Sequence, residues 1–295
     1  MIYQIFMRNI KLFTRDKISL MFSFLTVLIT IGLYILFLSQ MKFEMIRENA
    51  PHVVTDEAIN YLVNSWVLAG LISITAVTST FGSFGVVIVQ DQVNQMVKDF
   101  KSSPVSKMTY PLSAMMSASV IGFSTSLFAC VIYTIFIYVT TGYLFTMMQM
   151  IYLLGALALV VISNAGMMGF IVSCLTTNSS FSAASAVINS LIGFVTGLFV
   201  PMGSLPELMH TVALIFPFMH GASLFRRILT DEALGLVFAH APLSIQETYQ
   251  QFYGITLNFD GILIEPWMSV LFICVCTIIF TQLFLLNYHR KRKEM

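Results

Sequence analysis

Charge is what this 295-residue sequence has least of: 10% of it is Asp, Glu, Lys or Arg, where an average soluble domain carries about 25%. That shortage excludes an ordinary water-soluble globule, and no nucleic-acid partner is expected. No Gly-x-x-x-x-Gly-Lys-[Ser/Thr] run occurs, so the chain lacks that phosphate cradle for ATP. His-Glu-x-x-His and Cys-x-x-Cys are both missing, and with them two familiar zinc signals. The four cysteines, Cys130, Cys174, Cys274 and Cys276, lie in or at the ends of apolar runs. They read as packing residues, not as a disulfide framework. No metal ligand set, cofactor or catalytic group is expected. The cores of the long apolar runs hold no Asp, Glu, Lys or Arg. Ion-driven transporters usually need such a group inside the membrane. Any transport is therefore expected to draw its energy from a partner.

What is present is apolar: 57% of the residues are hydrophobic. Long runs fall near 18–39, 61–90, 110–141, 150–174, 181–200 and 264–288. Each is long enough for a hydrocarbon slab of about 30 Å at about 1.5 Å per residue. The expectation is one all-α integral membrane domain over 1–295 with six transmembrane helices. The first run exceeds the core of a cleavable signal peptide and follows a structured basic segment.

A further apolar stretch, 198–227, keeps being interrupted. Pro201, Pro206 and Pro217 each break a helix at or before themselves, and His220 and Gly221 follow. Backbone broken in this way survives at membrane depth only under protein or beside water. Charge parity decides its topology. With six spans and a cytoplasmic N-terminus, eleven basic residues face inward: Arg8, Lys11, Arg15, Lys17, Lys98, Lys101, Lys107 and the run 290–293. Four face outward: Lys42, Arg47, Arg226 and Arg227. A seventh span would put 290–293 outside and shrink the bias. The broken stretch is therefore expected to dip and return as an external hairpin over 201–225.

Two amphipathic segments flank the early spans. In residues 2–16, Ile5, Phe6 and Phe13 share an apolar face, while Arg8, Lys11 and Arg15 share a basic one. Such a helix lies in the membrane interface. In 91–104, Val93, Met96, Val97 and Phe100 recur at helical spacing, with Asp91, Gln92 and Gln95 on the remaining surface, and Pro104 ends the segment. It reads as a short cytoplasmic helix that either rests on headgroups or fits a groove on another protein. Small residues, among them Ser190, Gly193 and Gly197, run down the fifth span. That pattern marks close helix approach, either within the chain or between subunits. The second span is rich in polar side chains: Asn64, Ser73, Thr75, Thr78, Ser79 and Thr80. The spans carry aromatics, Met and hydroxyls without charge, which suits an amphiphilic or hydrophobic cargo such as a drug, a lipid-like toxin or haemolysin, or a hydrophobic peptide. Glu207, His210 and His220 leave room for a catalytic pair, so a six-span membrane enzyme stands as an alternative, as does an ATP-independent lipid flippase.

The order of these features resembles the membrane (permease) subunit of a type-2 ABC transporter, a bacterial exporter family. The basic segment 2–16 resembles the family's elbow helix. Met96-Val-Lys-Asp-Phe-Lys-Ser-Ser-Pro104-Val-Ser resembles its cytoplasmic coupling region. Pro201-Met-Gly-Ser-Leu-Pro206, followed by Pro217 and His220, resembles its external hairpin. One departure is that Gln90-Asp-Gln-Val-Asn-Gln stands where the family has an Arg/Glu-rich run. The resemblance implies a pair of permease subunits meeting through spans one and five. It implies two separate ATPase subunits, holding ATP and Mg, docked beneath 91–104. It implies an exit capped by the hairpin, and a cell-membrane protein with both termini cytoplasmic.

Overall fold

The computed structural model describes residues 1–34, 43–44, 46–47, 54–97, 106 and 108–294. The amphipathic α1 (Ile2–Arg15) leads at Asp16 into α2 (Lys17–Leu33). The long α3 runs over Asp56–Val93, with a π-helical stretch at Gly85–Val89 near its end. Then follow α4 (Thr109–Thr141), α5 (Met147–Cys174) and α6 (Asn178–Val195). The interrupted stretch forms a 3₁₀ turn (Met202–Ser204), α7 (Glu207–Ile215) and α8 (Pro217–Val237). A short α9 (Leu243–Phe252) and the antiparallel strands β1 (Leu257–Phe259) and β2 (Ile262–Ile264) precede α10 (Pro266–Glu294).

The helix starts are written locally. Thr55 caps α3 through the Ala58 amide, with Asp56 and Glu57 in the first turn favouring the positive end of the helix dipole. Thr146 with Gln149, and Thr177 with Ser180, close capping boxes on α5 and α6. Pro217 sits in the first turn of α8, where its missing N–H costs nothing, and Phe216 before it is extended.

The centre of the molecule is α3. Its apolar window is 72% buried, against 22% for α10. Trp66, Tyr61, Phe81 and Phe84 on α3 are all essentially inaccessible. Around α3 pack α4, α5 and α8, while α10 lies mainly against α5. Tyr133 on α4 donates to Asn64 Oδ1 on α3 at 3.1 Å, one of the few side-chain bonds between long helices. Phe24 on α2 meets Phe128 on α4 with ring centroids 4.3 Å apart.

Four described helices are long and apolar enough to cross a membrane: Asp56–Val93, Thr109–Thr141, Met147–Cys174 and Pro266–Arg290. The pair α7–α8, bent by 88°, makes a fifth if it counts as one span. Six were expected. The two that fall short are α2, described over 17 residues, and α6, whose hydropathy is diluted by Asn178, Asn189 and five serines.

Other expectations are corrected. The interrupted stretch does not end at 225: α8 continues unbroken to Val237, because no proline follows Pro217 within it. Arg226 and Arg227 are therefore residues of α8. The run at 181–200 stops as a helix at Val195, since the backbone turns left-handed at Gly197 (φ 68°). The helix assigned to 91–104 does not begin at 91: α3 runs through to Val93, and the chain turns at Asn94–Gln95 before helical geometry resumes at Met96–Val97. Phe100 and Pro104 lie outside the described residues. Among the described residues the fold is all-helical but for the two short strands.

Candidate functional site

A cavity of about 600 Å³ opens between α1, α2, α3 and α6. Thr75, Thr78, Ser79, Gly82 and Gly85 line it from α3, one helical face at three- and four-residue spacing. Phe13 of α1 and Val27 and Thr30 of α2 form one wall; Asn178, Phe181, Ser185, Asn189 and Ile192 of α6 form the other. None of its described lining residues carries a charge. Hydroxyls nonetheless wet it. Thr78 and Ser79 donate back to the Thr75 carbonyl, and Thr125 of α4 to the Ile121 carbonyl. Their protons are spent within their own helices, so what faces the cavity is acceptor oxygen and methyl. The polar side chains of the second span thus divide. Thr75, Thr78 and Ser79 line the cavity, whereas Asn64, Ser73 and Thr80 are buried against other helices.

At one end of the cavity α3 becomes π-helical, a change that often marks functional positions. Here Phe181 of α6 lies where a Cβ on Gly85 would stand, and its ring stacks on Phe81 at 4.8 Å. This end leads to α1. Ile5, Asn9 and Phe13 bury one face of α1, mainly against α4. Arg8 is half-buried and Phe6 partly so, while Lys11 and Arg15 are exposed. Both Arg8 Nη atoms donate to Asp91, at 2.8 and 2.6 Å. Asp91 is 3% exposed and also accepts from the Tyr110 hydroxyl at 2.8 Å. These hydrogen bonds to Asp91 hold the guanidinium above its ordinary pKa against the opposing effect of burial. Tyr110 in turn stacks on Tyr288 of α10 at 5.5 Å. One carboxylate thus ties α1, α3 and α4 together. Helical periodicity alone had placed Asp91 on the solvated side; the cation that buries it comes from 83 residues away. Of the residues expected to meet a partner, Val93 and Met96 are exposed and Val97 is buried.

At the other end of the molecule Arg226 is fully buried. Its guanidinium lies 4.7 Å from the Trp66 ring centroid and donates to the Thr196 carbonyl at 2.7 Å and the Gly254 carbonyl at 3.4 Å. No carboxylate pairs with it among the described residues. The carbonyl end of α6 supplies the compensating partial charge instead. Trp66 Nε1 donates to the Tyr253 carbonyl at 2.7 Å. The sequence did carry a signal for this site: 21 residues beginning at Pro217 run without a second proline, which keeps Arg226 in a helix.

The remaining expected residues are dispersed. Gly193 and Gly197 serve contacts within the chain. A Cβ on Gly193 would overlap the Phe199 ring, and Gly197 lies against the Arg226 guanidinium in a left-handed turn that leaves no strain for glycine alone. Ser190 is exposed and bonds back to Ala186. Pro201 precedes the 3₁₀ turn, Pro206 precedes α7, and Pro217 opens α8. His220 is buried, with its ring nitrogens at 3.2 Å from Ser269 Oγ and 3.0 Å from the Leu214 carbonyl. Both nitrogens are thus engaged away from His210 and Glu207. The tilted ring of Phe272, 4.3 Å away between centroids, fixes the imidazole further, so it latches the bend between α7 and α8 to α10. All four cysteines are free. Among the described residues no group of His, Cys, Asp and Glu is arranged to hold a metal ion.

No curated protein matches the chain. The family model for the ABC-2 type transporter matches residues 1–230, which takes in both ends of the cavity and most of the bent pair. The chain belongs to the ABC-2 type transporter family and is a membrane component of an ABC transporter.

Proposed function

We propose that this chain is the permease subunit of an ATP-driven exporter that moves an amphiphilic or hydrophobic substrate out of the cell. The observation that carries the reading is the uncharged, hydroxyl- and amide-lined cavity along α3. A cavity with acceptor oxygens and methyls on one wall and aromatic rings on another solvates both halves of an amphiphile. It repels a bare ion, which loses its hydration there without gaining a counter-charge.

In this reading α2, α3, α4, α5, α6 and α10 are the six spans, α1 is the interfacial elbow, and α7–α8 dips in from the outside and returns. Both termini are cytoplasmic in the plasma membrane. A second permease subunit, identical or related, faces α2 and α6 and closes the cavity into a pathway. Two copies of a separate ATPase bind ATP and Mg and dock beneath Val93, Met96, Val97 and the segment through Phe100 and Pro104. Closure of the ATPases pushes on α1 and the end of α3 through the Arg8–Asp91 pair. The latch at His220 and the clamp at Arg226 hold the outer end.

The test is vectorial transport in proteoliposomes containing this subunit and its ATPase, assayed with lipophilic dyes and peptides. Ser79→Trp should plug the cavity and abolish ATP-dependent transport while the complex still assembles. Transport at the wild-type rate through Ser79→Trp, or transport without any ATPase, overturns the proposal; the second outcome is that of an ATP-independent flippase.

A further inference from the structure

A second cavity, of about 880 Å³, opens between α5, α8 and the start of α10. The two long helices that form it run antiparallel: Gln149 of α5 donates to the Ile228 carbonyl of α8 at 3.1 Å, and Val160 of α5 packs on Gly221 of α8. Its lining separates by depth. Toward Leu159, Leu224 and Val270 it is wholly apolar. Toward the N-terminus of α5 it carries Gln149, Arg227, Asp231 and Glu232. From Gln149 to Leu159 the groove follows α5 for ten residues, about 15 Å at about 1.5 Å each, which is one leaflet of a hydrocarbon layer of about 30 Å.

The polar end is not electrically balanced. Asp231 and Glu232 are exposed, and neither forms an ion pair among the described residues. The adjacent cation is occupied elsewhere: Arg227 Nε donates to the Ile255 carbonyl at 3.0 Å and Nη2 to the Ile264 carbonyl at 2.7 Å. Among the described residues, two carboxylates beside one committed guanidinium leave the mouth with a net negative charge. An ammonium group complements it, and an alkyl chain complements the floor.

We propose that this groove seats one resident phospholipid of the leaflet at the N-terminal end of α5, with a primary-ammonium headgroup on Asp231 and Glu232 and an acyl chain along α5 and α8. The site is separate from the cavity along α3, and it depends neither on ATP-driven export nor on which face of the membrane is outside. The fit of the floor is testable because a Cβ on Gly155 meets no atom within 4 Å, so a large side chain there grows into the groove rather than into the protein.

The experiment is native mass spectrometry of the detergent-purified subunit, titrated with phosphatidylethanolamine and phosphatidylglycerol of identical acyl chains. The wild type should retain phosphatidylethanolamine about fivefold more than phosphatidylglycerol, the equivalent of one favourable ion pair. Asp231→Asn with Glu232→Gln should bring the two to parity, and Gly155→Trp should reduce retention of both. Equal retention by the wild type, or an undiminished preference in the double variant, overturns the proposal. The double variant alters only exposed positions, so it decides the matter even where Gly155→Trp folds poorly.

Discussion

Arg8 and Asp91 form a bidentate ion pair, with Nη1 donating to Oδ2 at 2.8 Å and Nη2 to Oδ1 at 2.6 Å. The pair joins the first helix of the chain to the end of the most buried one. Asp91→Ala should cost about 2–3 kcal/mol, below the roughly 3–5 kcal/mol of a fully buried broken pair, because Arg8 reaches solvent. Unfolding of the purified subunit in SDS measures this. The exchange Arg8→Asp with Asp91→Arg should recover part of the loss. A single variant as stable as the wild type refutes the pairing as a structural tie. Raising the pH should not uncouple it: the pair lifts the guanidinium pKa, so its contribution is lost only above an already high ordinary value.

Arg226 combines a guanidinium placed over the Trp66 ring with two carbonyl acceptors. Lysine keeps the charge but loses the fork and the guanidinium plane. Arg226→Lys should therefore destabilise by about 2 kcal/mol, and Trp66→Phe by a similar amount through loss of the bond to Tyr253. If SDS unfolding of Arg226→Lys matches the wild type, the geometry of the fork is irrelevant and only the charge counts.

Gly193 is filled by Phe199 of the same chain. Gly193→Ala should cost about 1–3 kcal/mol by overpacking, and Phe199→Ala in the same chain should relieve part of it, with a coupling of about 1 kcal/mol. Should Gly193→Ala leave stability intact but split a purified dimer, the glycine serves a subunit contact instead.

The bond between Tyr133 and Asn64 joins two long apolar helices. Hydrogen bonds between membrane helices average about 0.6 kcal/mol. Tyr133→Phe should therefore lower stability by no more than about 1 kcal/mol, since the ring and its packing against Phe136 remain. A loss several times larger in SDS unfolding indicates that Asn64 is left buried without a partner.

The local signals were readable in the sequence because they depend on neighbours along the chain. Thr55 before Asp56-Glu57, the prolines at 201, 206 and 217, and the amphipathic period of 2–16 each specify a start, a break or a face without tertiary help. The fate of single polar residues was not readable. Asp91 shares its sequence surroundings with Gln92 and Gln95, yet only Asp91 is buried, because Arg8 and Tyr110 reach it from other helices. Gly193 and Gly197 fit a close-approach pattern, but the pattern does not say whether the approaching surface is another helix, the ring of Phe199 in the same chain or a second subunit.

By itself, then, the sequence determined that this protein lives in a membrane, that its helices are long and uncharged, and that the segment after 198 is broken at its prolines. Those properties follow from hydropathy and from proline's missing donor, which act over a few residues. Only the tertiary structure decided that Arg226 is a fully buried cation and that Asp91 is the tie to α1. It alone gathered Thr75, Thr78 and Ser79 on a cavity with α6. The reason is that burial of a polar group is settled by the partner that meets it, and here those partners lie tens of residues away along the chain.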